Sequence, residues 1–197
     1  MDRDSELELV GRVRDGDRAA FEAVYAVFNA RLFSFLARLA RSRDAAEDLL
    51  EETWLRFVAH ADRLDADTRL GPWLFAVARN LYVSYCRHRA CEESHAEEAI
   101  GLWPTAPMDS PFELLALGDL ERRIEAALAT LPSTYREVLL LVCVEGIRPV
   151  DAAAVCGVSP DALRQRLKRA RDLLADRLSP SLRQSPEIPR RYADDVQ

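Results

Sequence analysis

Between Glu92 and Glu121 the chain carries eight acids and no lysine or arginine. They are Glu92, Glu93, Glu97, Glu98, Asp109, Glu113, Asp119 and Glu121. Gly101, Pro104, Pro107 and Pro111 interrupt the same stretch, which has no clear helical or strand period. So much like charge and so many backbone breakers leave little that could enter a core. The stretch therefore divides the 197 residues into two small units, expected at 1–91 and 115–178, with an acidic flexible linker at 92–114. Beyond Leu178 come Ser179-Pro180-Ser181, Pro186 and Pro189 among mixed charges, so 179–197 reads as a mobile tail.

Both units read as helical, and the expected fold class is all-α. Apolar residues are mostly alanine and leucine, glycines number only 7, and no segment alternates like a strand. Ser5 to Glu8 is a possible capping box for a first helix, and Asp15-Gly16-Asp17 breaks it. Asp17 can then cap a second helix carrying Phe21, Val24, Tyr25, Phe28, Leu32, Phe35, Leu36 and Leu39 at helical spacing. A third runs from about Asp44 to Ala61. A polar loop follows to Gly71, and a fourth helix starts near Pro72 and reaches about Arg89. In the second unit, helices are expected near 112–130, 133–145, 149–155 and 159–177. No apolar run approaches the ~20 residues of a membrane span, and no secretory signal is visible. The protein is expected in the cytoplasm without membrane insertion, its cysteines at 86, 91, 143 and 156 reduced.

The net charge of −6 comes from 27 Lys and Arg against 33 Asp and Glu. The acidic stretch alone accounts for −8, so the rest of the chain is slightly positive. Three helix faces could use that charge. On the third helix Asp48, Glu52 and Leu55 point away from the stripe of Ala46, Leu50, Thr53, Trp54 and Phe57. That face is either simply solvated or a docking surface for a basic partner. On the fourth helix Leu74, Val77, Ala78, Leu81 and Tyr85 form the inward stripe, with Trp73, Phe75 and Tyr82 between the faces. Arg79, Asn80, Val83 and Arg87 lie opposite. Arginines neutralise phosphates and aromatics stack on bases, which suits single-stranded DNA. Core aromatics beside a solvated arginine face would leave the same pattern.

Pro149 to Arg171 is the most informative segment. A short helix reaches Cys156-Gly157-Val158, where glycine suits a tight turn. Ser159-Pro160-Asp161 then opens a helix with an N-cap, a first-turn proline and an acid beside the helix dipole. Leu163, Leu167, Ala170 and Leu174 form its inward stripe, while Asp161, Arg164, Gln165, Lys168 and Arg169 face outwards. This is the pattern of a helix-turn-helix with a basic recognition face. A plain helical hairpin with a charged surface is the alternative.

No catalytic constellation is visible, so no enzyme activity and no cofactor are expected. Cys86, His88, Cys91 and His95 cluster in sequence, but Cys86 and His88 project ~200° apart on one helix, which argues against a shared metal. By the same phase His88 falls near the buried stripe. A zinc- or thiol-based sensor using Cys86 and Cys91 remains a rival reading.

Four segments in order resemble the extracytoplasmic-function (ECF) sigma factors of the bacterial sigma-70 family. They are Ala46-Glu47-Asp48-Leu49-Leu50-Glu51-Glu52-Thr53-Trp54-Leu55-Arg56, then Trp73-Leu74-Phe75-Ala76-Val77-Ala78-Arg79-Asn80-Leu81, then Leu131-Pro132 with Tyr135-Arg136-Glu137-Val138-Leu139, then Leu163 to Arg171. The resemblance implies a region 2 helical bundle and a region 4 helix-turn-helix. Asp48, Glu51, Glu52 and Leu55 would bind the β′ clamp helices of core RNA polymerase. Trp73, Arg79, Asn80, Val83 and Arg87 would hold the −10 strand of promoter DNA, with a flipped base captured near the 62–71 loop. Ser159, Asp161, Arg164, Gln165, Lys168 and Arg169 would read the −35 element. It also implies a region 4 contact with the β flap and an anti-sigma factor held between the domains. Glu51, Ser84, Pro149-Val150-Asp151-Ala152 and Asp161 depart from the family pattern, and the 62–71 loop lacks an aromatic. A stand-alone helix-turn-helix repressor is the alternative function.

Overall fold

The computed structural model describes residues 3–94 and 118–182. The expected linker from 95 onwards and most of the expected tail lie outside these residues. The described residues contain helices and turns and no strand. In chain order the helices are α1 (Arg3–Arg14), α2 (Arg18–Ala40), α3 (Arg43–His60) and α4 (Leu70–Ser94). Then come α5 (Asp119–Ala129), α6 (Ser133–Leu139), α7 (Pro149–Cys156) and α8 (Pro160–Leu182). A 3₁₀ turn, Ala61–Arg63, follows α3, and a π-helical turn, Leu140–Val144, continues α6. Helices α4 and α8 outrun the expected ends at Arg89 and residue 177.

The caps follow local chemistry. Asp17 accepts from the N–H groups of Ala19 and Ala20, and Arg12 holds its carboxyl below the usual range. Ser42 caps α3 and Ser159 caps α8. Helix α1 is already running at Arg3, so Ser5 and Glu8 lie within it and not at the expected start. Glu6 instead accepts the Leu70 N–H at 2.9 Å, so α1 caps the start of α4 and offers a carboxylate to its dipole. Arg3 adds bonds to the Asp67 and Thr68 carbonyls, which ties the 64–69 loop to α1.

Helices α1 to α4 enclose Val24, Phe28, Leu32, Phe35, Leu36, Phe57, Leu74 and Phe75. Burial of each large side chain contributes roughly 2 kcal/mol. By length and hydropathy α2 could cross a bilayer. Its apolar stripe lies in this core instead, and Arg31 and Arg38 on it form ion pairs. Helix α4 buries a wider arc than its phase predicts. Phe75, Tyr82 and Cys86 are buried, whereas Val77 and Tyr85 are only half-buried. The cause is a second neighbour: α4 packs on α2 and α3 on one side and on α7 on the other. His88, placed near the buried stripe by phase, is exposed. One continuous apolar cluster thus runs from Val10 to Ala170 across both units.

Arg136 sits where the two units meet, 4% exposed. Its guanidinium donates to five carbonyl oxygens: Leu128, Ala129 and Leu131 around the end of α5, and Arg38 and Leu39 at the end of α2. Helix C-termini carry unsatisfied carbonyls and partial negative charge, so a cation fits there without a carboxylate. Removing it would leave those acceptors buried and unpaired. An Arg136→Met variant is therefore expected to lose about 3 kcal/mol of stability. Urea denaturation checks this, with a lower midpoint at unchanged slope.

Candidate nucleic-acid and partner interfaces

The first site lies on α3 and α2. Leu55 and Val58 are each 57% exposed, and Tyr25 is 43% exposed although its spacing suggested core. With Phe21, Leu50 and Trp54 they line an open cleft of about 400 Å³, rimmed by Glu47 and Glu51. Aromatic contacts hold its floor. Tyr25 and Trp54 have centroids 4.9 Å apart, and Phe21 meets Trp54 edge-on at 5.9 Å. Trp54 donates to Asn29 at 3.0 Å, which fixes the indole. Of the four expected residues, Glu51 and Leu55 line this cleft, while exposed Asp48 and half-buried Glu52 lie on its flank. Glu52 pairs with Arg56 at 2.8 Å. The arrangement suits a partner with apolar side chains and basic neighbours. Sequence phase missed Tyr25 and Val58 because each follows the apolar spacing of its helix. The cleft is formed jointly by residues of α2 and α3, which the spacing within either helix does not reveal.

The second site is on α4. Asn80 and Arg87 are exposed, and Trp73 and Val83 are half-buried. Trp73 packs on Phe57 at 5.8 Å. Arg79 is engaged: it donates to Glu137 of α6 at 2.6 Å, the two side chains 21% and 9% exposed. Among the described residues, Arg31, Arg38 and Arg69 also form ion pairs across this seam. Arg31 binds both the carboxylate and the carbonyl of Glu145, each at 2.9 Å. Arg38 binds Glu125 at 2.8 Å, and Arg69 binds Asp151. Burial raises the Glu145 carboxyl, with Arg31 partly offsetting it. A bond from Arg148 keeps Asp151 low, and Arg69 adds to the effect. The π turn brings Glu145 to the seam, closing with its N–H on the Leu140 carbonyl. None of these pairings was visible in the sequence. The nearest signal was the charged pair Arg136-Glu137 directly before a run of apolar residues.

The third site is α8. Gly157 ends α7 at φ 65°, and its N–H bonds to the Ala153 and Ala154 carbonyls. That turn sets α8 across α7, with Leu163, Leu167 and Ala170 inside. Ser159, Asp161, Arg164, Gln165, Lys168 and Arg169 are all exposed, as expected. Asp161 pairs with Arg164, so the acid is partly neutralised within the face.

Residues 24–91 match the family model described as sigma-70 region 2, and residues 121–174 match sigma-70, region 4. The chain is 34% identical over 169 residues to RNA polymerase sigma factor CarQ of Myxococcus xanthus, covering 85% of this chain and 94% of that protein. It is 37% identical over 144 residues to ECF RNA polymerase sigma factor EcfG of Rhodopseudomonas palustris, covering 73% and 77%. Among solved structures it is similar to the sigma factor RpoE in complex with the anti-sigma factor NepR from Bartonella quintana. The TM-score is 0.67 at 28% identity, over 81% of this chain and 96% of that one.

Among the described residues no cluster of His, Cys, Asp or Glu could hold a metal. Cys86 and Cys156 are buried and Cys143 is exposed, while the Cys91 side chain and His95 lie outside the described residues. Burial raises the Cys86 thiol and pushes that of Cys156 up to about 12, so both stay protonated at neutral pH. Iodoacetamide labelling of the folded protein, mapped by mass spectrometry, is expected to modify Cys143 well before Cys86 or Cys156. Equal rates would contradict this placement.

Proposed function

The chain belongs to the ECF sigma factors of the sigma-70 family, and on that premise we propose how its three faces divide the work. As a sigma factor it directs RNA polymerase to promoters. The α3 face, with Asp48, Glu51, Glu52 and Leu55, docks on the β′ clamp helices of core polymerase. The acidic rim and aromatic floor of the cleft support this, since a basic, partly apolar helix would meet both. Helix α4 holds the −10 strand through Trp73, Arg79, Asn80, Val83 and Arg87, and the 62–71 loop beside it receives a flipped base. Capture of the base and phosphates offsets unstacking of a few kcal/mol, so opening needs no chemistry from this chain.

Helix α8 reads the −35 element in the major groove. Arg164, Gln165, Lys168 and Arg169 reach bases or phosphates, and Ser159 and Asp161 lie at its entering end. The C-terminal unit also meets the β flap, and 92–114 links the two units through the polymerase. An anti-sigma factor is the regulatory partner, as the complex with NepR supports for the similar RpoE. The match to region 2 disfavours the stand-alone repressor, which has no use for the α3 cleft. That cleft is the observation that carries the proposal.

Transcription in vitro tests it. Core polymerase with this protein on a library of promoter fragments is expected to give defined transcripts, and Asp48→Arg/Glu52→Arg to abolish them. Transcripts from both proteins would overturn the docking face. No transcripts, with tight duplex binding by the protein alone, would restore the repressor. Separately, Arg164→Ala is expected to cost about 1–3 kcal/mol of promoter binding if it pairs with a base. Replacing a phosphate-binding Lys168 with alanine would weaken all sequences alike and lower the salt slope by roughly one. Filter binding over a salt series separates the two.

A further inference from the structure

Helix α1 meets the loop that opens α4 through main-chain groups of that loop. Both carboxylate oxygens of Glu6 are engaged: one accepts the Leu70 N–H at 2.9 Å, and the other accepts from Arg3 at 2.9 Å. The Arg3 guanidinium also donates to the Asp67 and Thr68 carbonyls. Two side chains one turn apart thus hold three backbone groups of a segment distant in sequence. The hold passes into α4 through a single peptide unit, Arg69–Leu70. Its N–H donates to Glu6, and its carbonyl accepts the Trp73 N–H at 3.0 Å. Bonds at the two ends of one peptide unit strengthen each other.

The loop lacks other means of fixing its shape. From 62 to 69 it has neither glycine nor proline. Leu64 and Leu70 are buried at its ends, and the Thr68 N–H closes a turn on the Asp65 carbonyl. Between them Asp65, Ala66 and Asp67 are exposed. Such a segment samples many conformations unless something holds it, and a ligand that needs one of them loses affinity to the ordering. In the loop Arg3 and Glu6 bind only main-chain groups, which leaves its exposed side chains to a ligand.

We propose that Arg3 and Glu6 are positioning residues for promoter opening. They hold the 62–71 loop and the first turn of α4, with Trp73, in the shape that receives the flipped −10 base. They act on DNA through the loop and touch no nucleotide. This rests on the −10 assignment of α4 and its loop.

The test uses the full chain assembled with core polymerase. The probe is a fluorescein-labelled single strand carrying the −10 segment of a promoter transcribed in vitro, read by anisotropy. A matching set of strands has one abasic nucleotide at each −10 position in turn. Wild type is expected to lose affinity at the captured position, which tests the −10 assignment by itself. Glu6→Ala and Arg3→Ala are each expected to bind the intact strand about five-fold more weakly, the effect of one lost hydrogen bond. On the strand lacking the captured base each variant is expected to match wild type, because the loss acts through that base. The double variant should be little weaker than either single one, since the two side chains form one network. Glu8→Ala, exposed on α1 and making none of these bonds, should bind every strand as wild type does.

Intact-strand binding unchanged by Glu6→Ala and Arg3→Ala would overturn the proposal. A loss of equal size on every abasic strand would also overturn it, by marking direct phosphate contact or a general effect on the fold. A wild type indifferent to every abasic position would overturn the −10 assignment, and the proposal with it. Circular dichroism verifies folding of each variant. If Glu6→Ala unfolds the chain, Arg3→Ala carries the same comparison with the same deciding outcomes.

Discussion

The seam between the two units is organised by one buried cation, Arg136. A guanidinium removed from water costs several kcal/mol unless its donors are met. Here it has no carboxylate; carbonyls from the ends of α2 and α5 and the turn at Leu131 take its donors instead. The macrodipoles of both helices point negative charge at the same spot. Burial still pulls its pKa below the ordinary guanidinium value. The bonds fix α6 against α2, and the next residue, Glu137, thereby faces Arg79 on α4. Helix α7 also packs on α4, whose Tyr82 and Cys86 are buried.

The seam combines two kinds of force. Its apolar part cannot be screened. Its ion pairs are half-exposed on the arginine side, where such pairs contribute about 1 kcal/mol or less each in open water and more as they are buried. A sum of a few kcal/mol lies within reach of a partner that binds the open form preferentially. Core polymerase and promoter DNA together offer much larger interfaces than that.

Much of this was legible in the sequence, for local reasons. Asp17, Ser159, Pro160 and Gly157 each state a backbone requirement that no tertiary context overrides. The outward residues of α8 follow from the phase of Leu163, Leu167 and Ala170. What phase cannot supply is a second neighbour. Phe75 and Tyr82 looked intermediate on α4, yet Phe75 meets Phe35 of α2 edge-on at 5.2 Å and both are buried, because α4 has neighbours on more than one side. Tyr25 looked like core because the spacing of α2 does not reveal that it lines an open cleft with Leu55 and Val58 of α3. A local box was read at Ser5 and Glu8, while the cap that forms joins Glu6 to the Leu70 N–H, distant in sequence. Arg79 was read as free because its partner Glu137 belongs to the other unit.

Whether Arg136 holds the two units together decides the account. The most direct measurement is the radius of gyration, by small-angle X-ray scattering, of the folded chain and of its Arg136→Met variant. The account predicts a compact wild type and a clearly larger variant. A folded variant of unchanged dimensions would contradict it.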